Sequence, residues 1–170
     1  MRNRKKELWI SPPRNPKETL LNRPLIIKAF LWYGMLGSLA SALSYFFVNI
    51  QNGWPDMPLA SGNNPVYFRA TTMALAAIVF SQIGAVFNCR TEKQSAFQVG
   101  LFKNKQVNLG ILIEIILIFA LVYLPPLQSV FHTAPLLLSD WLLLCIWPPL
   151  VLLLEEGRKF WLRNKERAGN

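Results

Sequence analysis

The residues that most often build catalytic or metal centres are nearly missing from this chain. Histidine occurs once, as His132, and cysteine twice, as Cys89 and Cys145, among 170 residues. One imidazole and two separated thiols give no zinc-type ligand spacing. The two cysteines fall at different depths of the apolar pattern, which disfavours a disulfide. There is no Gly-rich phosphate loop and no Ser/His/Asp set, so the chain shows no machinery for transferring a group by itself. Acidic residues are few as well, 9 against 18 Lys and Arg. No internal repeat and no low-complexity stretch is visible.

What is present is hydrocarbon, and it is unevenly distributed. Hydrophobic residues make up 52% of the chain, a share that a soluble protein also reaches. Here the charges cluster outside four apolar runs, 24–48, 67–87, 107–123 and 136–154. Each has the length, about 17–25 residues, that crosses a bilayer as a helix. The spacing predicts an all-α membrane protein, a bundle of four transmembrane helices. Residues 1–23 read as a basic, proline-rich strap, 24–165 as the bundle and 166–170 as a tail. No room is left for a soluble catalytic domain of ordinary size.

Seventeen of the eighteen Lys and Arg fall on one side of such a bundle, and only Arg69 on the other. The positive-inside rule then places both termini and the middle loop in the cytoplasm. Topology and attraction to anionic lipid account for the net charge of +9. No nucleic-acid partner is expected, because no basic face with aromatic platforms is visible. Ala40-Ser41-Ala42 has the look of a cleavage site, but apolar character continues through Val48, against a removed signal peptide.

Two polar residues interrupt the apolar runs. Glu114 sits near the middle of 107–123, where a carboxylate is expensive and normally faces protein, water or an ion. It reads either as an ion ligand or proton carrier, or as a protonated group bonded to a neighbouring helix. Gln82 lies inside 67–87, on a stripe with Thr71, Leu75 and Ile78. Its carbonyl oxygen suits a hard cation, and equally a packing hydrogen bond. Together the two supply too few oxygens for a calcium ion, which takes six or more. In the first run Gly34/Ser38 and Gly37/Ser41 form small-xxx-small pairs that allow close helix approach. Pro125-Pro126 ends the third helix, and Pro148-Pro149 predicts a kink in the fourth. His132, Asp56 and Asp140 are expected in solvated external segments.

Pro12-Pro13-Arg14-Asn15-Pro16-Lys17-Glu18, then Thr72-Met73-Ala74-Leu75 with Gln82 and Phe87-Asn88-Cys89-Arg90-Thr91-Glu92-Lys93-Gln94-Ser95, form an ordered series. Gly100-Leu101-Phe102-Lys103-Asn104-Lys105, Tyr123-Leu124-Pro125-Pro126-Leu127-Gln128-Ser129-Val130-Phe131, Asp140-Trp141-Leu142 and Glu155-Glu156-Gly157-Arg158-Lys159 continue it. In this order the chain resembles the seventh to tenth membrane helices of type II P-type cation-transporting ATPases, the calcium and sodium/potassium pumps. The resemblance implies that Gln82 stands where the sarcoplasmic-reticulum type of calcium pump carries a carboxylate ligand of one of its two calcium sites, and a Gln there is similar to pumps that carry one calcium. It implies that Glu114 stands where sodium/potassium pumps carry a ninth-helix carboxylate tied to their third sodium site. The family phosphorylates the Asp of an Asp-Lys-Thr-Gly-Thr motif, and this sequence has no such motif. ATP and magnesium are therefore expected only on a pump core with the first six helices and the cytoplasmic domains. The chain reads as a transport-support module of such a core. The alternative is a free-standing four-helix interaction or regulatory protein, with Gly34, Gly37 and the Ala-rich second helix on its contact face.

Overall fold

The computed structural model describes residues 28–89 and 104–168. The strap at 1–23 and most of the middle loop, residues 90–103, lie outside the described residues. The described chain is all-α. Its four stretches long and apolar enough to span a bilayer are Phe30–Gln51, Pro65–Asn88, Lys105–Tyr123 and Leu138–Leu162.

The first span opens with a π-helical turn, Lys28–Tyr33, that runs directly into α1, Gly34–Gln51. The buried residues of α1 are Gly37, Ala40, Ser44 and Val48, three or four apart, with Leu36 beside the first and Asn49 beside the last. That spacing lines one side of a 3.6-residue helix. Asn52 closes the helix, its side chain donating to Val48 O at 2.7 Å. Gly53, at φ +97°, then turns the chain, a backbone state that costs glycine little.

Asn64 starts α2, Pro65–Cys89, by accepting a hydrogen bond from Val66 N at 2.9 Å. Pro65 fits the first position, where its missing N–H leaves no gap. This helix is the centre of the bundle. Ala70, Met73, Ala76 and Ala77 are fully buried, and α1 packs on one side of it and the helix Trp147–Ala168 on another. Without a hydrophobic drive inside lipid, such small side chains gain energy by letting backbones come close. The tightest approach is at Gly84, where a Cβ would fall 2.4 Å from Pro148 O.

Asn104 caps α3, Lys105–Tyr123, accepting from Gln106 N and Val107 N. Only Ile118 and Val122 of α3 are buried, so it meets the rest of the bundle near its far end. Pro125-Pro126 opens the short α4, Pro125–Phe131, which stops at His132 in a left-handed conformation.

The fourth apolar run is two helices, α5, Leu138–Leu144, and α6, Trp147–Ala168. The break falls at Cys145–Ile146, just ahead of Pro148-Pro149. The two prolines lack the N–H groups that would bond to the carbonyls of Leu144 and Cys145, and their rings crowd those carbonyls. The interruption therefore lies one turn before the prolines, in whose place the sequence predicts a kink.

Candidate functional site

The bundle has two ends. The loop end carries the 52–64 and 124–137 connections; at the opposite, tail end α2 stops and α3 begins. Gln82 lies toward the tail end of α2 on a stripe with Leu75, Ile78 and Val86, all exposed on the bundle surface. Of the stripe proposed from the sequence, Leu75, Ile78 and Gln82 thus turn away from the seams that α2 makes with α1 and α6, whereas Thr71 is half-buried. Glu114 is half-buried. It is four residues before Ile118 and eight before Val122, so it continues the α2-facing stripe of α3 beyond the point where packing thins. No hydrogen bond joins Gln82 to Glu114 among the described residues. Nor do three or more His, Cys, Asp or Glu side chains gather there into a cluster that could hold a metal ion. Oxygen ligands from outside these residues are required to complete a cation shell of ordinary size.

Of the small residues in α1, Gly37 is buried, and an added Cβ would meet Ser81 Oγ at 3.5 Å, an ordinary contact. Ser41 is half-buried. Gly34 is exposed, with nothing within 4 Å of an added Cβ.

The strongest polar contacts are ones the sequence reading misses. Asp140, expected in solvent, is fully buried. Arg69 grips it with two bonds, Nε to Oδ2 at 2.8 Å and Nη2 to Oδ1 at 2.7 Å. Arg69 Nη2 also donates to Gln51 Oε1 at 2.7 Å, and Leu137 N donates to Asp140 Oδ2 at 2.9 Å. A bidentate guanidinium–carboxylate pair is among the strongest polar contacts available to a protein. Here it ties α1, α2 and α5 together at the loop end. Nearby, Trp141 Nε1 donates to Tyr123 OH at 2.8 Å, and the hydroxyl donates to Leu136 O at 3.2 Å. The Trp141 ring stacks on Phe119 with centroids 4.4 Å apart. In the core, Trp147 Nε1 donates to Ser44 Oγ at 3.0 Å and joins α6 to α1. His132 is exposed and stacks on Phe68 at 5.9 Å.

At the tail end Glu155 and Lys159 are both buried. Arg158 donates to both oxygens of Glu155, at 2.8 and 2.7 Å. Lys159 Nζ donates to the backbone carbonyl of Asn88 at 3.2 Å and lies 3.6 Å from Glu156 Oε1. The three-residue spacing of Glu155/Arg158 and Glu156/Lys159 is the one signal in the sequence that foreshadows these pairs.

Residues 1–161 match the family described as cation transporting ATPase, C-terminus. Calcium-transporting ATPase type 2C member 2 of Mus musculus is 31% identical over 157 residues, covering 92% of this chain and 15% of its own length. Calcium-transporting ATPase 1 of Bacillus cereus is 32% identical, over 82% of this chain and 16% of the relative. Sodium/potassium-transporting ATPase subunit alpha-4 of Rattus norvegicus is 29% identical, over 90% and 17%. The chain thus spans less than a fifth of each of these relatives. The match over nearly the whole chain agrees with the four apolar helices, and the chain belongs to the cation-transporting ATPase C-terminal family, a multi-pass membrane part of such ATPases.

Proposed function

We propose that this chain lends structural support and one or two oxygen ligands to the cation pathway of a P-type ATPase. It acts only together with the pump's first six helices and its ATP-hydrolysing cytoplasmic domains, which these 170 residues do not contain. ATP and magnesium bind on those domains, and the lipid bilayer surrounds the assembly. The observation that carries this reading is the pairing of the family match with two polar side chains that the chain's own helices leave wholly or partly uncovered. Gln82 is exposed on α2 and Glu114 half-exposed on α3. Polar groups at membrane depth that are not spent on internal packing are suited to face an ion path. The excess of Lys and Arg on one side supports an orientation with both ends in the cytoplasm.

The test is ATP-driven uptake into vesicles by a complete ATPase containing this chain, with calcium and with sodium. Gln82→Ala and Glu114→Gln are expected to raise the cation concentration for half-maximal uptake while the assembly still forms. If neither variant moves that concentration, the ligand role is wrong, and a regulatory bundle that touches no ion becomes the better account.

A further inference from the structure

We propose that Lys159 is a positioning residue: it locks the tail end of α2, and through α2 it sets where Gln82 stands. The transport half of this statement rests on the reading of Gln82 given above; the lock does not.

A lysine near the end of a membrane helix ordinarily snorkels, keeping its ammonium in water. Lys159 turns inward instead. Its side chain is 0% exposed, and its Nζ reaches across to α2 to donate to Asn88 O at 3.2 Å. Asn88 is the penultimate residue of α2. Its carbonyl is one of the last four of the helix, which have no donor within the helix itself. A cation at this end also meets the negative pole of the helix dipole. The ammonium therefore serves α2 twice, as hydrogen-bond donor and as counter-charge.

Neighbouring contacts hold the same turn in place. Asn88 Nδ2 lies 3.4 Å from Gly84 O and 3.5 Å from Leu152 O of α6. One turn further in, Gly84 sits against the backbone of Pro148. Arg158, on the same helix, donates to both oxygens of the buried Glu155. The last turn of α2 cannot slide or rotate along α6 without breaking the bond from this buried ammonium to Asn88 O, although Glu156, 3.6 Å away on α6 itself, stays with the lysine. Gln82 is six residues before Asn88, about 9 Å along the axis of one continuous helix. A shift at Asn88 is carried to Gln82 with little loss.

Two readouts test this in a complete ATPase containing the chain. The first is amide hydrogen exchange in lipid nanodiscs. Lys159→Met is expected to speed exchange at Phe87, Asn88 and Cys89 and leave Met73–Ala77 unchanged, and Lys159→Arg to restore slow exchange. The second is uptake of calcium and of sodium. Lys159→Met is expected to raise the half-maximal cation concentration about tenfold, a coupling of ordinary size, with little change in maximal rate. Lys159→Arg should return it toward the wild-type value. Unchanged exchange at Phe87–Cys89 in Lys159→Met overturns the lock. Faster exchange with unchanged cation dependence overturns the positioning role. A lower maximal rate with unchanged cation dependence overturns it too, as a merely structural effect. If Lys159→Met does not accumulate, the wild-type protein decides: exchange at Phe87–Cys89 as fast as in the last turn of α6 overturns the lock. Gln82→Ala with unchanged cation dependence removes the ligand reading of Gln82, and the exchange readout still stands on its own.

Discussion

Substituting Gly84 by alanine tests the packing at its tightest point. An added Cβ falls 2.4 Å from Pro148 O, 3.0 Å from Val151 Cβ and 3.1 Å from Pro148 Cα. A carbon and a carbonyl oxygen settle at roughly 3.3 Å or more, so the backbones of α2 and α6 must part by about 0.9 Å. Two of the three obstructing atoms belong to the backbone of a proline in the first turn of α6, where no flexible side chain can yield. Overpacking of this kind costs about 1–3 kcal/mol. Alanine's better helix propensity returns about 1 kcal/mol, which leaves a net loss of up to about 2 kcal/mol, and a gap of about 1–3 kcal/mol to a glycine where the propensity gain acts alone. Gly34→Ala is the matched control. Nothing lies within 4 Å of its Cβ, so only the propensity term acts, and the variant should be neutral or stabilised by up to about 1 kcal/mol. The assay is reversible unfolding in mixed micelles against rising SDS, followed by helical circular dichroism. If Gly84→Ala unfolds at the same SDS fraction as Gly34→Ala, the close seam between α2 and α6 does not exist as described.

The clamp at the loop end makes a second prediction. Arg69→Met leaves a buried carboxylate without its cation and is expected to cost about 3–5 kcal/mol in the same assay. Adding Asp140→Leu should recover most of that loss, and a double variant no better than Arg69→Met would refute the pairing. Ser44→Ala removes the acceptor of the Trp147 indole and is expected to cost about 0.6–1.7 kcal/mol, the range of hydrogen bonds between membrane helices. Adding Trp147→Phe should cancel the part due to the bond. Reporter fusions at Asn170 and within the 52–64 loop should read opposite sides of the membrane, with Asn170 cytoplasmic; an outer reading at Asn170 reverses the proposed orientation.

The four spans and the family were legible because length and hydropathy are properties of the chain itself. Which way each helix faces was not. In a soluble bundle the polar side marks the surface, whereas here the lipid-facing side is as apolar as the interior, and that marker is lost. Gly34 and Gly37 look alike in the sequence, yet one faces open space and the other Ser81. The close approach at Gly84 leaves no local trace, because its partner, Pro148, is 64 residues away. Asp140 looked solvated because it stands at the edge of an apolar run. Its partner Arg69 is 71 residues distant, and no local pattern records that meeting. Gln82 and Glu114 were found as polar interruptions, a signal that composition preserves, but their open surroundings became visible only with the helices in place.

The uneven cover on α3 bears on how the molecule deforms. Only 11% of its apolar window is buried, against 56% for α2. The contacts it makes are gathered around Ile118, Val122 and the stacked Phe119–Trp141 rings. Among the described residues α3 is thus packed most closely near its loop end, while α1, α2 and α6 form the frame. The more sparsely packed stretch of α3 is the one that bears the mid-span carboxylate, Glu114.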